Sequence, residues 1–165
     1  MIQDAFGVSF SVNEITPLEW LEPYGQVEEV WDGLISGNLV FRVNGPYGRL
    51  KVKYAGARTV NYGGRPEDAV RRLKAATGVY SIRHRAMPEL LACGEVNGGE
   101  GFAAVFRWIE GESLHPYPPD DRPWTDLRRQ PRAALLDMLD GVIDLHCALA
   151  RSGWVQGNFR DSNLI

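Results

Sequence analysis

Leu39-Val40-Phe41-Arg42-Val43-Asn44-Gly45-Pro46-Tyr47-Gly48-Arg49-Leu50-Lys51-Val52-Lys53-Tyr54 reads as a hairpin. An apolar run meets a Gly- and Pro-marked turn, and the chain returns as a second run. In the return, Leu50, Val52 and Tyr54 alternate with Lys51 and Lys53. Side chains of a strand point to opposite faces in turn, so both lysines share one face and the apolar residues take the other. Just before the hairpin, Gln26-Val27-Glu28-Glu29-Val30-Trp31 predicts one more strand, joined to it through Gly33 and Ser36-Gly37-Asn38. Three antiparallel strands linked by short glycine turns are the economical arrangement.

Beyond the hairpin, a loop over 56–64 leads to a helix start at Pro66, whose fixed φ suits the first helical position. Glu67 and Asp68 favour the positive end of that helix. Val70, Leu73, Thr77 and Tyr80 fall on one helical face, and the helix is expected to stop before Pro88, with Gly78 a weak point inside it. Leu90–Val96 and Phe102–Ile109 predict two further strands around the turn signal Asn97-Gly98-Gly99. From Glu110 to Pro131 the chain carries Pro116, Pro118, Pro119, Pro123 and Pro131, an irregular connection and a boundary between two lobes. A second helix is predicted from about Pro131 to Arg151, with Leu135, Leu139, Val142, Ile143, His146 and Leu149 as a broad apolar stripe, stopped by Ser152-Gly153. Trp154 to Ile165 reads as a short strand, a polar loop and the start of another strand.

The 165 residues carry a formal charge of −3, which supplies no overall attraction to nucleic acid or to an anionic membrane. No stretch approaches the ~20 apolar residues of a membrane span. Met1-Ile2-Gln3-Asp4 has neither the basic start nor the apolar run of a signal peptide. Cys93 and Cys147 lie far apart in no metal-binding spacing and fit a reducing cytoplasm as ordinary core thiols. The expectation is a cytoplasmic protein.

Strand, glycine turn, strand, strand with a lysine, helix, two strands, linker, helix and polar loop: this order resembles the small lobe and early large lobe of the protein kinase superfamily. Within it the chain is most similar to small bacterial serine/threonine-kinase-like proteins related to aminoglycoside phosphotransferases. The resemblance rests on Val52-Lys53-Tyr54-Ala55-Gly56-Ala57, Arg65-Pro66-Glu67-Asp68-Ala69, Val105–Glu112 and Gly153–Ile165, taken in order from Gln26 onward. It implies an α+β, protein-kinase-like fold. An antiparallel-sheet lobe with one helix would span residues 1–109, with 1–25 as an extension. A hinge and linker would span 110–130, and an incomplete helical lobe 131–165.

The same resemblance implies ATP and Mg²⁺. Lys53 would contact phosphate oxygens as a flexible cation on a rigid sheet. The turn Ser36-Gly37-Asn38 would cover the phosphates with backbone N–H groups, although such turns are common in proteins without that role. Backbone groups of Trp108 and Glu110 would pair with the adenine edge. In the final loop the family's Asp-x-x-x-x-Asn pattern reads Asn158-x-x-x-x-Asn163, and Gln156 stands at the family's His position. Asn163 would ligate Mg²⁺, and Asn158 would occupy the base position, where an amide cannot accept a proton as a carboxylate does. Asp161 is the only carboxylate inside that loop; it would replace the missing base in a rearranged loop, and is otherwise a structural or substrate-side residue.

Glu67, at the helix start, stands too early for the usual pairing with the strand lysine. The metal-binding Asp-Phe-Gly type of segment is expected beyond Ile165, so the chain reads as incomplete. These features point to an ATP-dependent phosphotransferase acting on an unidentified hydroxyl, altered at its base and weakly active or inactive alone. The alternative is a pseudokinase-like module that binds nucleotide or a partner without transfer. A dimer or partner would cover the apolar stripe of the second helix, around Leu139, Val142 and Ile143.

Overall fold

Gly45 and Gly48 face each other across the tightest turn of the sheet, with only Pro46 and Tyr47 between them. In this computed structural model, which describes residues 2–3, 9–10, 18–110 and 130–155, that hairpin is the centre of a five-stranded antiparallel sheet. Two short strands, β1 (Ile2–Gln3) and β2 (Ser9–Phe10), pair separately with each other. The main sheet consists of β3 (Gln26–Trp31), β4 (Leu39–Gly45), β5 (Gly48–Ala55), β6 (Leu90–Val96) and β7 (Gly101–Arg107). Its order is β3-β4-β5-β7-β6. The chain therefore leaves β5, passes through helix α1 (Pro66–Thr77), lays down β6 at the far edge, and returns with β7 to fill the gap. The described residues are an α+β protein.

One face of the sheet is a dry core. Val30, Leu39, Phe41, Val43, Leu50, Val52, Tyr54 and Val105 are buried there, as the alternation in the hairpin requires. Residues 18–24, ahead of β3, close this face. A 3-10 turn over Glu19–Tyr24 drives Leu21 into the core to 2% exposure, with Trp20 tilted on Tyr54 at 5.4 Å. Burying one such leucine contributes about 2 kcal/mol. Gly25 lets this segment enter β3, because its φ is 123° and a Cβ there would lie 2.4 Å from the Asn44 carbonyl oxygen.

The opposite face receives α1. Pro66 stands at its first turn with Glu67 and Asp68, and Asp68 pairs with both Arg65 and Arg71. Ala69 and Leu73 pack on Ala55, Phe102, Ala104 and Phe106, with Tyr62, Val70, Tyr80 and Leu90 at the border. Tyr80 meets Phe106 edge-on at 4.9 Å. The helix ends at Thr77 and tightens into a 3-10 turn over Gly78–Ser81, so Gly78 closes the α-helix and does not sit inside it. Glycine loses more backbone entropy in a helix than any other residue, which makes this the natural place to stop. Strand β7 likewise stops at Arg107, leaving Trp108 and Ile109 beyond it.

The chain divides into two units, residues 1–80 with 89–108, and 81–88 with 109–165. Helix α2 (Arg132–Arg151) belongs to the second, as does the segment 81–88 that follows α1. Within this second unit, His84 ties the segment 81–88 to α2. Its Nδ1 accepts the backbone N–H of Ala86 at 3.1 Å, so Nε2 carries the proton that faces Asp144 at 3.1 Å. Arg85 lies 3.9 Å from Asp137. Gly141 and Leu149 are buried, Val142 and His146 are half-buried, and Leu136, Leu139 and Ile143 stay exposed at 49%, 50% and 60%. The broad stripe expected from sequence is thus split between a packed side and an open one. The left-handed Gly153 ends the helix, and Trp154 returns its N–H to Leu149. Trp154 and Val155 are not a strand. Both cysteines are free and exposed, not core thiols, Cys93 because β6 is an edge strand and Cys147 because it follows Ile143 along the open side of α2.

Candidate functional site

Residues directly opposite each other in an antiparallel sheet share a face. One row runs Trp31, Val40, Lys53, Ala104 and Cys93, and the next runs Glu29, Arg42, Lys51, Phe106 and Leu90. Both rows lie on the side that carries α1, since Ala104 and Phe106 pack beneath that helix. Lys51 and Lys53 are therefore held half-buried on the same face as the helix, Lys51 between Arg42 and Phe106 and Lys53 between Val40 and Ala104.

The three cations of this face differ in their partners. Arg42 is neutralised: it reaches Glu28 at 3.1 Å and Glu29 at 3.0 Å, and its guanidinium lies 5.6 Å from the centre of the Trp108 ring. Lys53 rests over the ring of Phe106 at 5.6 Å. Among the described residues no carboxylate pairs with Lys53 or Lys51. Burial, and secondarily the charge of Lys51, pushes the Lys53 ammonium down to about 8. Burial also lowers Lys51. Two like charges two residues apart, both partly removed from water and both without a carboxylate partner among the described residues, disfavour their own charged forms. An incoming anion would relieve this.

The turn before β4 stands at the same end of the sheet as Lys53, because Leu39 opens β4 opposite Tyr54. It is tied down from several sides. Asn61 donates to the Gly33 carbonyl at 2.8 Å, Arg72 of α1 donates to the Ser36 carbonyl at 3.0 Å, and the Gly37 N–H closes on Leu34 at 3.2 Å. The Tyr62 ring lies against Gly37, whose φ is 75°, and the Arg72 guanidinium lies over that ring at 4.9 Å. Nearby in sequence, the buried Oδ1 of Asn38 and Oγ1 of Thr59 have no hydrogen-bond donor. Neither Tyr62 nor Arg72 carries a sequence signal for this role, since both act across long sequence separations.

Of the residues expected from sequence, the structure brings Lys53 and the turn Ser36-Gly37-Asn38 to one end of one sheet, and adds Lys51 and Phe106. Trp108 follows the end of β7. Its backbone N–H is already bonded to the Arg49 carbonyl at 3.1 Å, an extension of the β5–β7 ladder, so only its carbonyl can serve a ligand edge. Glu110 belongs to the second unit. Gln156, Asn158, Asp161 and Asn163 lie outside the described residues.

A lysine pair with no carboxylate partner among the described residues can attract an anionic group. For Mg²⁺, the described residues contain no group of three His, Cys, Asp or Glu side chains that could hold a metal, and Asn163 lies outside them. Among the described residues, no helix is long and apolar enough to cross a membrane. Compared with known proteins, the sequence matches no protein-family model, and no curated protein matches it significantly.

Proposed function

We propose that the chain is the nucleotide-binding part of a kinase-like, ATP-dependent phosphotransferase. The observation that carries the proposal is the pair Lys51 and Lys53, half-buried on one sheet face without a carboxylate partner among the described residues. The sheet order supports it, with a helix inserted between the third and fourth strands of the main sheet and packed on the lysine side, as in a kinase small lobe. In this reading Lys53 draws the phosphate oxygens of ATP to the sheet, and Lys51 adds a second cation on the same face. Phosphoryl transfer depends on positioning and charge stabilisation more than on covalent chemistry by the protein. Lys53 would supply the charge, while Asn158 would orient the acceptor hydroxyl without removing its proton.

A second reading, nucleotide binding without transfer, is favoured by a specific observation. Lys53 lacks the helix carboxylate that would hold it in place, because α1 offers Lys74 to Glu95 and offers Asp68 to Arg65 and Arg71. Calorimetry with ATP on the full chain, with and without Mg²⁺, tests what both readings share. Affinity is expected to fall at least tenfold in Lys53→Met, and a chain that binds no nucleotide would overturn both. Transfer of the γ-phosphate to water or a hydroxyl, rising in Asn158→Asp, selects the first. Binding with no transfer in either protein selects the second.

A further inference from the structure

The chain contains three lysines, and they occupy three different states. Lys74 is exposed and ion-paired to Glu95 at 2.7 Å. Lys51 and Lys53 share one sheet face, about 7 Å apart along the strand. Lys53 lies against the Phe106 ring and pairs across the sheet with Val40 and Ala104, an apolar setting that penalises the ammonium. A desolvated lysine beside a second cation is the arrangement that makes an amine a nucleophile near neutral pH.

We propose that Lys53 is an imine-forming amine whose preferred partners are small aldehydes bearing a phosphate, with Lys51 holding the phosphate. The neutral Nζ attacks the carbonyl carbon, and the carbonyl oxygen takes up a proton to give a carbinolamine. Loss of water then leaves a carbon–nitrogen double bond. One C=O bond is exchanged for one C=N bond, one water leaves, and no electrons are gained or lost. Selectivity within the chain follows from protonation. With its amine at about 8, half of Lys53 is neutral at that pH, against ~0.3% for an ordinary lysine. The phosphate preference follows from position, because Lys51 stands on the same face and Arg42 beside it is already neutralised by Glu28 and Glu29. This inference uses the two lysines of the proposed nucleotide site but does not need nucleotide to bind there.

The test is labelling of the full chain with pyridoxal 5′-phosphate at pH 8, borohydride reduction, and peptide mapping by mass spectrometry. Label on Lys53 is expected to exceed that on Lys51 and on Lys74 at least fivefold, with a rate that reaches half its maximum near pH 8. Pyridoxal, which lacks the phosphate, is expected to react at least fivefold more slowly. Lys51→Met should erase that difference and move the pH midpoint upward. Label spread evenly over the three lysines would overturn the proposal, as would equal rates for the two aldehydes in the wild-type chain, a measurement that needs no variant. Excess ATP separates this inference from the functional one. Selective labelling that ATP does not slow counts against the nucleotide site alone, whereas nucleotide binding with evenly spread label counts against the imine alone.

Discussion

At the scale of the residue, the proton of Lys53 couples pH to stability and to the proposed anion site. Its folded-state value of about 8 lies below the ordinary 10.5, so between these pH values the folded chain binds fewer protons than the unfolded chain. Stability must then rise with pH across that window, and the cost of the charged amine is fully present below it. Replacing Lys53 with Met is expected to stabilise the chain at pH 7 by about 1–3 kcal/mol, a range reduced for the partial exposure of the side chain. The gain should shrink by pH 9.5, and urea melts at the two pH values check it. Anion affinity should move the opposite way, weakening as pH rises through 8, because the ammonium proposed to attract phosphate is lost. Calorimetric titration with ATP at pH 7 and pH 9 measures this directly. Gly37 is the second decisive residue. With φ at 75° and Tyr62 2.5 Å from any added Cβ, Gly37→Ala is expected to cost about 2–3 kcal/mol in a thermal melt. The double variant with Tyr62→Ala should recover the steric part and leave the backbone strain.

At the scale of the element, α1 depends on its buried face more than on its ion pairs. Leu73→Ala, which opens space against Phe102, Ala104 and Phe106, should cost about 2–4 kcal/mol. Lys74→Ala, which removes an exposed pair, should leave the melting temperature unchanged. The elements legible in sequence were those written in local chemistry: the alternation of Leu50 to Tyr54, the turn at Pro46-Tyr47, and Pro66 with its acidic neighbours. The errors share one cause. Val79 and Tyr80 continue an apolar rhythm past Gly78, and Trp108 and Ile109 continue one past Arg107, so periodicity overran the true ends. Of the site, Lys53 and the turn Ser36-Gly37-Asn38 were legible, and Lys51 was not singled out. Phe106 beneath Lys53, and Arg72 on Tyr62 above Gly37, are contacts between distant segments that no local pattern records.

At the scale of the whole molecule, protection should follow the sheet order. Amides of β4, β5 and β7, paired on both sides, are expected to exchange with deuterium most slowly, and those of the edge strand β6 sooner, by mass-spectrometric exchange on the full chain. Slowest exchange in β6 would contradict the placement of β7. That placement also sets a schedule for synthesis. As the chain leaves the ribosome, β3, β4 and β5 can zip into a meander early, but the outer edge of β5 waits for a partner made about 50 residues later. During that wait the nascent protein shows a bare row of backbone donors and acceptors beside Lys51 and Lys53. The two charges that the finished sheet keeps at a cost would, at that moment, repel another copy of the same unfinished edge.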